Sequence, residues 1–265
     1  FGSIFDHLQA VEACAPRGIH VMVEKPLAVS LDHAVKMAEL AKKHKILLLT
    51  NYETSWYPTT ERTRQLVHDS NFVGRIRKVV IHDGHQGPKE IGVGPEFFNW
   101  LTDPVKNGGG ALIDFGCYGA NLMTWLMKGE YPVSVTAVTA TNKPHIYPKV
   151  DDEATIIVSY HGAQCIIQAS WNWPFNRKDM EVYGETGYIF AENRNDLFTR
   201  GASENSRRRY SVTSSDVPVY EDPFVYFTDA VRGKIQVPEF GLYSLENNLA
   251  VVMILDAART SSRSG

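Results

Sequence analysis

An α/β unit with a parallel sheet, followed by an α+β unit carrying a large, open and mainly antiparallel sheet with flanking helices, is the fold class predicted by three features of the sequence. Helical and β-branched segments alternate with short connections over the first 56 residues, and such alternation builds parallel sheets wound by helices. Five strand-like runs follow one another between residues 133 and 191 with turn residues among them, the pattern of a meander. The chain has 265 residues, 43% of them hydrophobic and 22% charged, enough to bury a substantial core in one or two domains. A first domain is expected over 1–56 and a second over 57–265.

The elements follow in order. Ile4, Leu8, Val11 and Ala15 recur at helical spacing until Pro16 and Gly18 stop the run. Ile19 to Val23 is a short β-branched run, and Ser30 is placed to cap a second helix with Leu31, Val35, Ala38 and Ala41 on one stripe. That helix ends in Lys42, Lys43 and Lys45, as the negative end of its dipole favours, and Ile46 to Thr50 then reads as a buried strand. Beyond Tyr57 the pattern predicts a helix over 58–69, a strand over 75–83, a Gly- and Pro-rich loop over 84–95 and one helix over 111–127. The runs 133–141, 153–160, 164–173, 180–183 and 188–191 are expected to pair as antiparallel hairpins through Gly162-Ala163 and Gly184-Glu185-Thr186-Gly187. Helices over 223–231 and 244–259 close the chain. Phe1 in place of Met predicts that a stretch precedes this sequence, and Ser261 to Gly265 reads as a polar tail.

Composition excludes several classes. A net charge of −3 with both signs interspersed gives no basic field for nucleic acid or an anionic membrane surface. No apolar run has the length of a spanning helix. Cys14, Cys117 and Cys165 are odd in number and widely spaced, which suggests neither a disulfide framework nor a thiolate metal site and fits a reducing compartment. The cytoplasm is the expected location, although any export signal would lie in the preceding stretch. His82-Asp83-Gly84-His85 offers only two histidines at a strand end, so no metal is expected. Arg207-Arg208-Arg209 reads as a solvated hairpin, and Cys117 as a small buried thiol.

In a parallel wound sheet, ligands sit beyond the carboxyl ends of the strands. Two segments occupy that place here, Glu24-Lys25-Pro26 and Asn51-Tyr52-Glu53. Pro26 stiffens the turn that presents Lys25, which could polarise a substrate hydroxyl; the alternative is a surface lysine paired with Glu24. Asn51, Tyr52 and Glu53 either border a cofactor or form a polar loop. After the run Gly108-Gly109-Gly110, Asp114 and Tyr118 are four apart and would share one helical face. A phenol exchanges a proton near neutrality only beside a cation, for which Lys25 is the candidate. The plainer alternatives are a carboxylate favoured by the helix dipole and an amphipathic core residue.

Glu24-Lys25-Pro26 after a His-Val strand, together with Gly108-Gly109-Gly110-Ala111-Leu112-Ile113-Asp114-Phe115-Gly116-Cys117-Tyr118, resembles the signatures of the Gfo/Idh/MocA oxidoreductases. Ser170-Trp171, Tyr183-Gly184 and the closing helix with Leu255, Ala257 and Ala258 extend the resemblance over nearly the whole chain. It implies the C-terminal half of a Rossmann parallel sheet beside a large open sheet. It also implies hydride transfer between NAD or NADP and a hydroxyl-bearing carbon of a sugar, inositol or related polyol. The catalytic set would be Lys25, Asp114 and Tyr118, with Glu24, Lys25, Pro26, Asn51 and Tyr52 at the cofactor and Lys25, Trp100, Asp114, Tyr118 and Trp171 at the substrate. Tyrosine at 118 is similar to the glucose-fructose oxidoreductase branch, where much of the family has histidine. No G-x-G-x-x-G occurs in the sequence, so the main phosphate-binding motif lies outside it and NAD cannot be told from NADP. A glycosidase working by transient oxidation, or a sensor without catalysis, remains the competing reading. The open sheet face implies a homo-oligomer, a dimer or tetramer.

Overall fold

The computed structural model describes residues 2–264. The first unit is wound as the periodicity predicts: helix α1 (His7–Cys14), strand β1 (Val21–Glu24), helix α2 (Leu31–His44) and strand β2 (Leu48–Asn51). The Ser30 hydroxyl accepts the His33 N–H at 3.3 Å and caps α2, whose last turn carries Lys42, Lys43 and His44. β1 and β2 pair in parallel from Val21 opposite Leu48 to Glu24 opposite Asn51. That register brings the chain segments after Glu24 and Asn51 out at the same end of the sheet.

The second unit opens with α3 (Pro58–Arg64), a π-helical turn over Gln65–Asp69 and strand β3 (Ile76–Gly84). The loop expected over 84–95 leads into a short helix, α4 (Pro95–Leu101). The single helix expected over 111–127 is two, α5 (Ala111–Asp114) and α6 (Gly116–Leu126), with a break at Phe115. Strands β4 (Ser134–Ala140), β5 (Glu153–Ser159), β6 (Gln164–Ser170), β7 (Arg177–Gly184) and β8 (Gly187–Ala191) follow as the alternation predicts. Two more, β9 (Asp196–Gly201) and β10 (Arg208–Ser211), extend the sheet. Helices α7 (Pro223–Val231) and α8 (Leu245–Ser264) close the chain. Residues 261–264, expected as a tail, continue α8, and Gly265 lies outside the described residues.

The eight strands are ordered β10-β9-β8-β7-β3-β6-β5-β4. Every neighbouring pair is antiparallel except β3 and β6, which run parallel. This corrects the expected succession of hairpins at one point, because β6 and β7 are separated by β3. The physical reason is span: neighbouring strands lie about 4.8 Å apart, and the link over 171–176 is long enough to step across one strand. β3 therefore occupies the centre of the sheet, and its residues are placed by partners about ninety positions away.

One face of the sheet is covered by α5 and α6. Gly119 of α6 lies so close to the sheet that an added Cβ would stand 2.5 Å from Ile167 Cγ2. The other face is open, with Val138 70% and Tyr183 40% exposed. The edge strand β10 carries exposed Arg208 and Arg209, charges that discourage edge-to-edge pairing. Val252 of α8 packs among Val11, Ala34, Met37 and Leu48 of the first unit, while Val251, Ile254 and Leu255 belong to the core of the second. The closing helix therefore holds the two units together.

Candidate active site

Lys25 leaves the end of β1 through a cis peptide to Pro26. Its ammonium reaches the second unit, where it forms an ion pair with Asp114 and donates a hydrogen bond to the Asp114 main-chain oxygen at 2.8 Å. That carbonyl lacks its helical N–H partner because of the helix break, and the Cys117 thiol also donates to it at 3.3 Å. In a continuous helix it would accept the Tyr118 N–H, which instead donates to the Phe115 oxygen at 3.1 Å. The expectation of one helical face for Asp114 and Tyr118 is corrected accordingly: two helix ends present them, and the interrupted ladder creates a binding point for the lysine.

The glycine run sets the start of α5. A Cβ on Gly110 would stand 1.8 Å from the Asp151 main-chain oxygen, so only glycine allows this approach. The Asp151 carboxylate accepts the N–H groups of Gly110 at 3.0 Å and Leu112 at 2.7 Å, satisfying donors that the helix leaves open. Gly108 has φ 88°, and its oxygen accepts a hydrogen bond from Arg259 of α8 at 3.0 Å.

The second Asp114 oxygen accepts the Trp171 indole N–H at 3.0 Å. Burial raises the Asp114 pKa, but the attraction and hydrogen bond of Lys25 and the Trp171 bond outweigh it, and the carboxyl is held below its ordinary value. Burial likewise favours neutral Lys25, yet Asp114 raises the lysine pKa above its ordinary value. The pair is ionised. Trp171 is fully buried, tilted against Tyr147 with ring centres 5.0 Å apart. Trp171, expected at the substrate, thus has its one polar group on Asp114 and its ring buried. Trp100 packs on Phe97 at 4.7 Å, within α4, and none of its ring contacts joins it to the group around Lys25. Its expected place at the substrate finds no support.

Tyr118 is 5% exposed and lies between cations. Lys25 stands over its ring at 5.1 Å from the centre, with Lys178 at 4.6 Å. Phe115 stacks at 6.2 Å and Tyr52 meets it edge-on at 5.5 Å. Burial first, then the acidic groups Cys117, Asp114, Glu53 and Asp83, hold the phenol well above its ordinary pKa. Lys25 is thus not the cation that frees the phenolate, because Asp114 neutralises it and it faces the ring rather than the oxygen. The cation at the hydroxyl is Lys178, 3.5 Å away.

Lys178 also forms an ion pair with Glu53, which accepts the Tyr57 hydroxyl at 2.6 Å. Burial would raise the Glu53 pKa, but the bonds from Lys178 and Tyr57 bring it below the ordinary value. Asp83 faces Lys178 across the β3–β7 ladder, is 1% exposed, and neither of its oxygens has a hydrogen-bond partner. Burial drives its pKa well up. Lys178 and Asp83 are residues that the sequence reading missed as a pair. One signal was present: Lys178 stands two before Met180 and four before Val182, so strand alternation puts it on their buried face.

At the other expected cofactor positions, Glu24 accepts the Asn51 side-chain N–H at 2.7 Å, and the Asn51 oxygen accepts the Trp56 indole at 2.8 Å. Tyr52 is fully buried and its hydroxyl has no hydrogen-bond partner. On the open face, His82, Asp179 and Glu181 bring one ligand atom each within 4.8 Å of the others. His82 and Arg177 already bond Asp179, and the Tyr183 and Tyr188 hydroxyls bond Glu181. Cys117 is buried, its thiol pushed up to about 12.

The residues 3–52 match the oxidoreductase family with an NAD-binding Rossmann fold, and residues 60–190 match the GFO/IDH/MocA C-terminal domain. The chain belongs to the Gfo/Idh/MocA oxidoreductase family. Among curated relatives, the trans-1,2-dihydrobenzene-1,2-diol dehydrogenase of Xenopus tropicalis is 27% identical over 62% of this chain and 46% of its own length. The chain thus spans about half the length of that relative. The D-xylose 1-dehydrogenase [NADP(+)] of Haloarcula marismortui is 22% identical over 97% of this chain and 70% of its own. Two solved structures share the fold. An aldose-aldose oxidoreductase from Caulobacter crescentus has a TM-score of 0.81 at 20% identity, covering 100% of this chain and 76% of the other. An inositol dehydrogenase homolog from Azotobacter vinelandii, complexed with NAD+, has a TM-score of 0.82 at 18% identity, covering 99% and 75%.

A nicotinamide cofactor fits the residues present at one end only. The chain leaving the ends of β1 and β2 brings Lys25 and Tyr52 to the Tyr118 ring, where a nicotinamide ring beside a reacting carbon would lie. The sequence holds no G-x-G-x-x-G to grip the pyrophosphate.

Proposed function

We propose that this protein is an NAD- or NADP-dependent oxidoreductase acting on a hydroxyl-bearing carbon of a sugar or polyol. The observation that carries the reading is the convergence of Lys25, from one unit, and Tyr118, from the other, with the ammonium 5.1 Å from the phenol ring. The sugar dehydrogenases among its relatives support the substrate class. When bound, the cofactor accepts or returns a hydride at its nicotinamide ring. Lys25 would hold the substrate oxygen and stabilise charge developing there, which a preorganised ammonium does most effectively where water is scarce. Asp114 keeps that ammonium charged and fixed. Tyr118 would exchange the hydroxyl proton with the substrate. Glu24, Pro26, Asn51 and Tyr52 would border the cofactor.

The test is turnover of the full chain with a panel of aldoses, inositols and linear polyols, read as reduced nicotinamide absorbance. Lys25→Met and Tyr118→Phe should each lower kcat/KM by about 10²–10⁴-fold; turnover indifferent to both would sink the proposal. Retention of the whole Lys25, Asp114 and Tyr118 set favours an enzyme over a sensor. The open face with Val138 and Tyr183 suits pairing with a second copy as a dimer or tetramer, which sedimentation would measure. Three free cysteines agree with a cytoplasmic setting. We place the domain boundary near residue 56.

A further inference from the structure

A buried general acid or base needs a route by which its proton reaches water. Tyr118 is 5% exposed, and its hydroxyl has Lys178 as a polar neighbour at 3.5 Å, the outer limit of a hydrogen bond. Such contacts are commonly long before substrate binds and tighten afterwards. On its other side the same ammonium is paired with Glu53, whose side chain is 56% exposed, while that of Lys178 is 21% exposed. Phenol, ammonium and carboxylate thus form an unbroken line from the interior to solvent. Lys25, the other cation at this ring, is bound to Asp114 and is not in the line.

We propose that Lys178 and Glu53 carry the proton between Tyr118 and solvent, an inference that rests on the oxidoreductase reading above. In the oxidative direction the substrate C–H bond breaks as its hydride goes to an oxidised nicotinamide. A Lys178 ammonium proton passes to the Glu53 carboxylate, the amine so freed takes the Tyr118 proton, the Tyr118 oxygen takes the substrate O–H proton, and Glu53 loses its proton to water. Each relay member ends as it began, and one proton is released per carbonyl formed. Reduction runs the same line inward. Lysine suits the middle position because its nitrogen can lose one proton and take up another, whereas a guanidinium stays charged throughout.

The ionisable groups facing this line are Lys25, Asp114 and Cys117 from the Lys25 side, Tyr52 edge-on to the phenol, His85 on the Phe115 ring, Asp83 across the ladder from Lys178, and Tyr57 on Glu53. Asp83 has no bond to Lys178, whereas Glu53 is in direct contact with the ammonium, so the geometry makes Glu53 the next member of the line. Burial also keeps the proton on Tyr118, which is why a partner must remove it during oxidation.

The experiment compares the full chain with its Lys178→Arg, Lys178→Met and Glu53→Gln variants. Turnover with cofactor is followed against pH and against the concentration of imidazole as a diffusible proton carrier. All three variants should lose oxidative kcat by about tenfold or more, and imidazole should restore it in Lys178→Met and Glu53→Gln without affecting the parent chain. Independently of activity, carbon NMR of ring-labelled tyrosine reports Tyr118 ionisation without cofactor. Lys178→Met should move that titration upward, Glu53→Gln downward, and Lys178→Arg should leave it near the parent value. The arginine variant separates charge from transfer: full turnover with an unchanged pH profile would overturn the relay, as would failure of imidazole to rescue. Should Tyr118→Phe retain full activity, the oxidoreductase assignment of Tyr118 falls, while the NMR titration still decides whether Lys178 and Glu53 act on this phenol.

Discussion

Removing one partner of the Lys25–Asp114 pair should cost more than removing both. The side chains are 18% and 11% exposed, so little solvent screens the pair. Two unit charges about 3 Å apart attract by about 5–6 kcal/mol at an effective dielectric of about 20, and desolvation takes back several kcal/mol. Lys25→Met leaves a buried carboxylate with only the Trp171 N–H, and Asp114→Asn leaves a buried ammonium with the 2.8 Å bond to the main-chain oxygen. Each single change should destabilise by about 3–5 kcal/mol, the range for an uncompensated buried charge. The double variant should cost less than either alone, so the coupling should be at least about 3 kcal/mol. Urea unfolding of the full chain at neutral pH, with all four members of the cycle, measures this. The pH dependence has two flanks. Asp114 is lowered on folding, so its stabilisation is complete above the ordinary carboxylate pKa and is lost as pH falls through the lower folded value. Lys25 is raised, so its share is complete below the ordinary lysine pKa and is lost as pH rises through the higher folded value. Additive single variants, each costing under about 1 kcal/mol, would refute the reasoning and place the pair in solvent.

Three further outcomes follow from the same geometry. Trp171→Phe removes one charge-assisted hydrogen bond and should cost about 1.5–3 kcal/mol, with the low-pH flank of the stability curve moving up because Asp114 binds its proton more readily; a pH series of unfolding midpoints reads both. Gly119→Ala forces a methyl to 2.5 Å from Ile167 Cγ2 and should destabilise by about 1–3 kcal/mol, whereas Gly18→Ala has no atom within 4 Å and is disfavoured only by its φ of 68°; thermal unfolding ranks them. Asp83→Asn removes a carboxyl whose folded pKa is raised. Its relative stabilisation is complete below the ordinary carboxylate value and is lost as pH rises through the folded one, so the variant should lose stability less steeply across that window. A parent and variant with parallel curves would contradict the burial of an unbonded carboxyl.

The sequence by itself determined most of the local elements and nominated part of the candidate site. Periodicity located α2 and its Ser30 cap, alternation located β4 to β8, and strand ends in a wound sheet singled out Lys25. The glycine run and the spacing after it offered Asp114 and Tyr118, and the resemblance to the family chose them over plainer structural roles. These readings rest on interactions within a few residues, which is the range over which spacing carries information. The tertiary structure alone decided that β3 lies between β6 and β7, that the helix breaks at Phe115, and that the Trp171 indole bonds Asp114. It also decided which cation meets which group: Lys25 belongs to the carboxylate and Lys178 to the phenol oxygen. Those pairings join residues 89 and 60 positions apart, and Coulomb attraction depends on distance in space, which spacing along the chain does not encode.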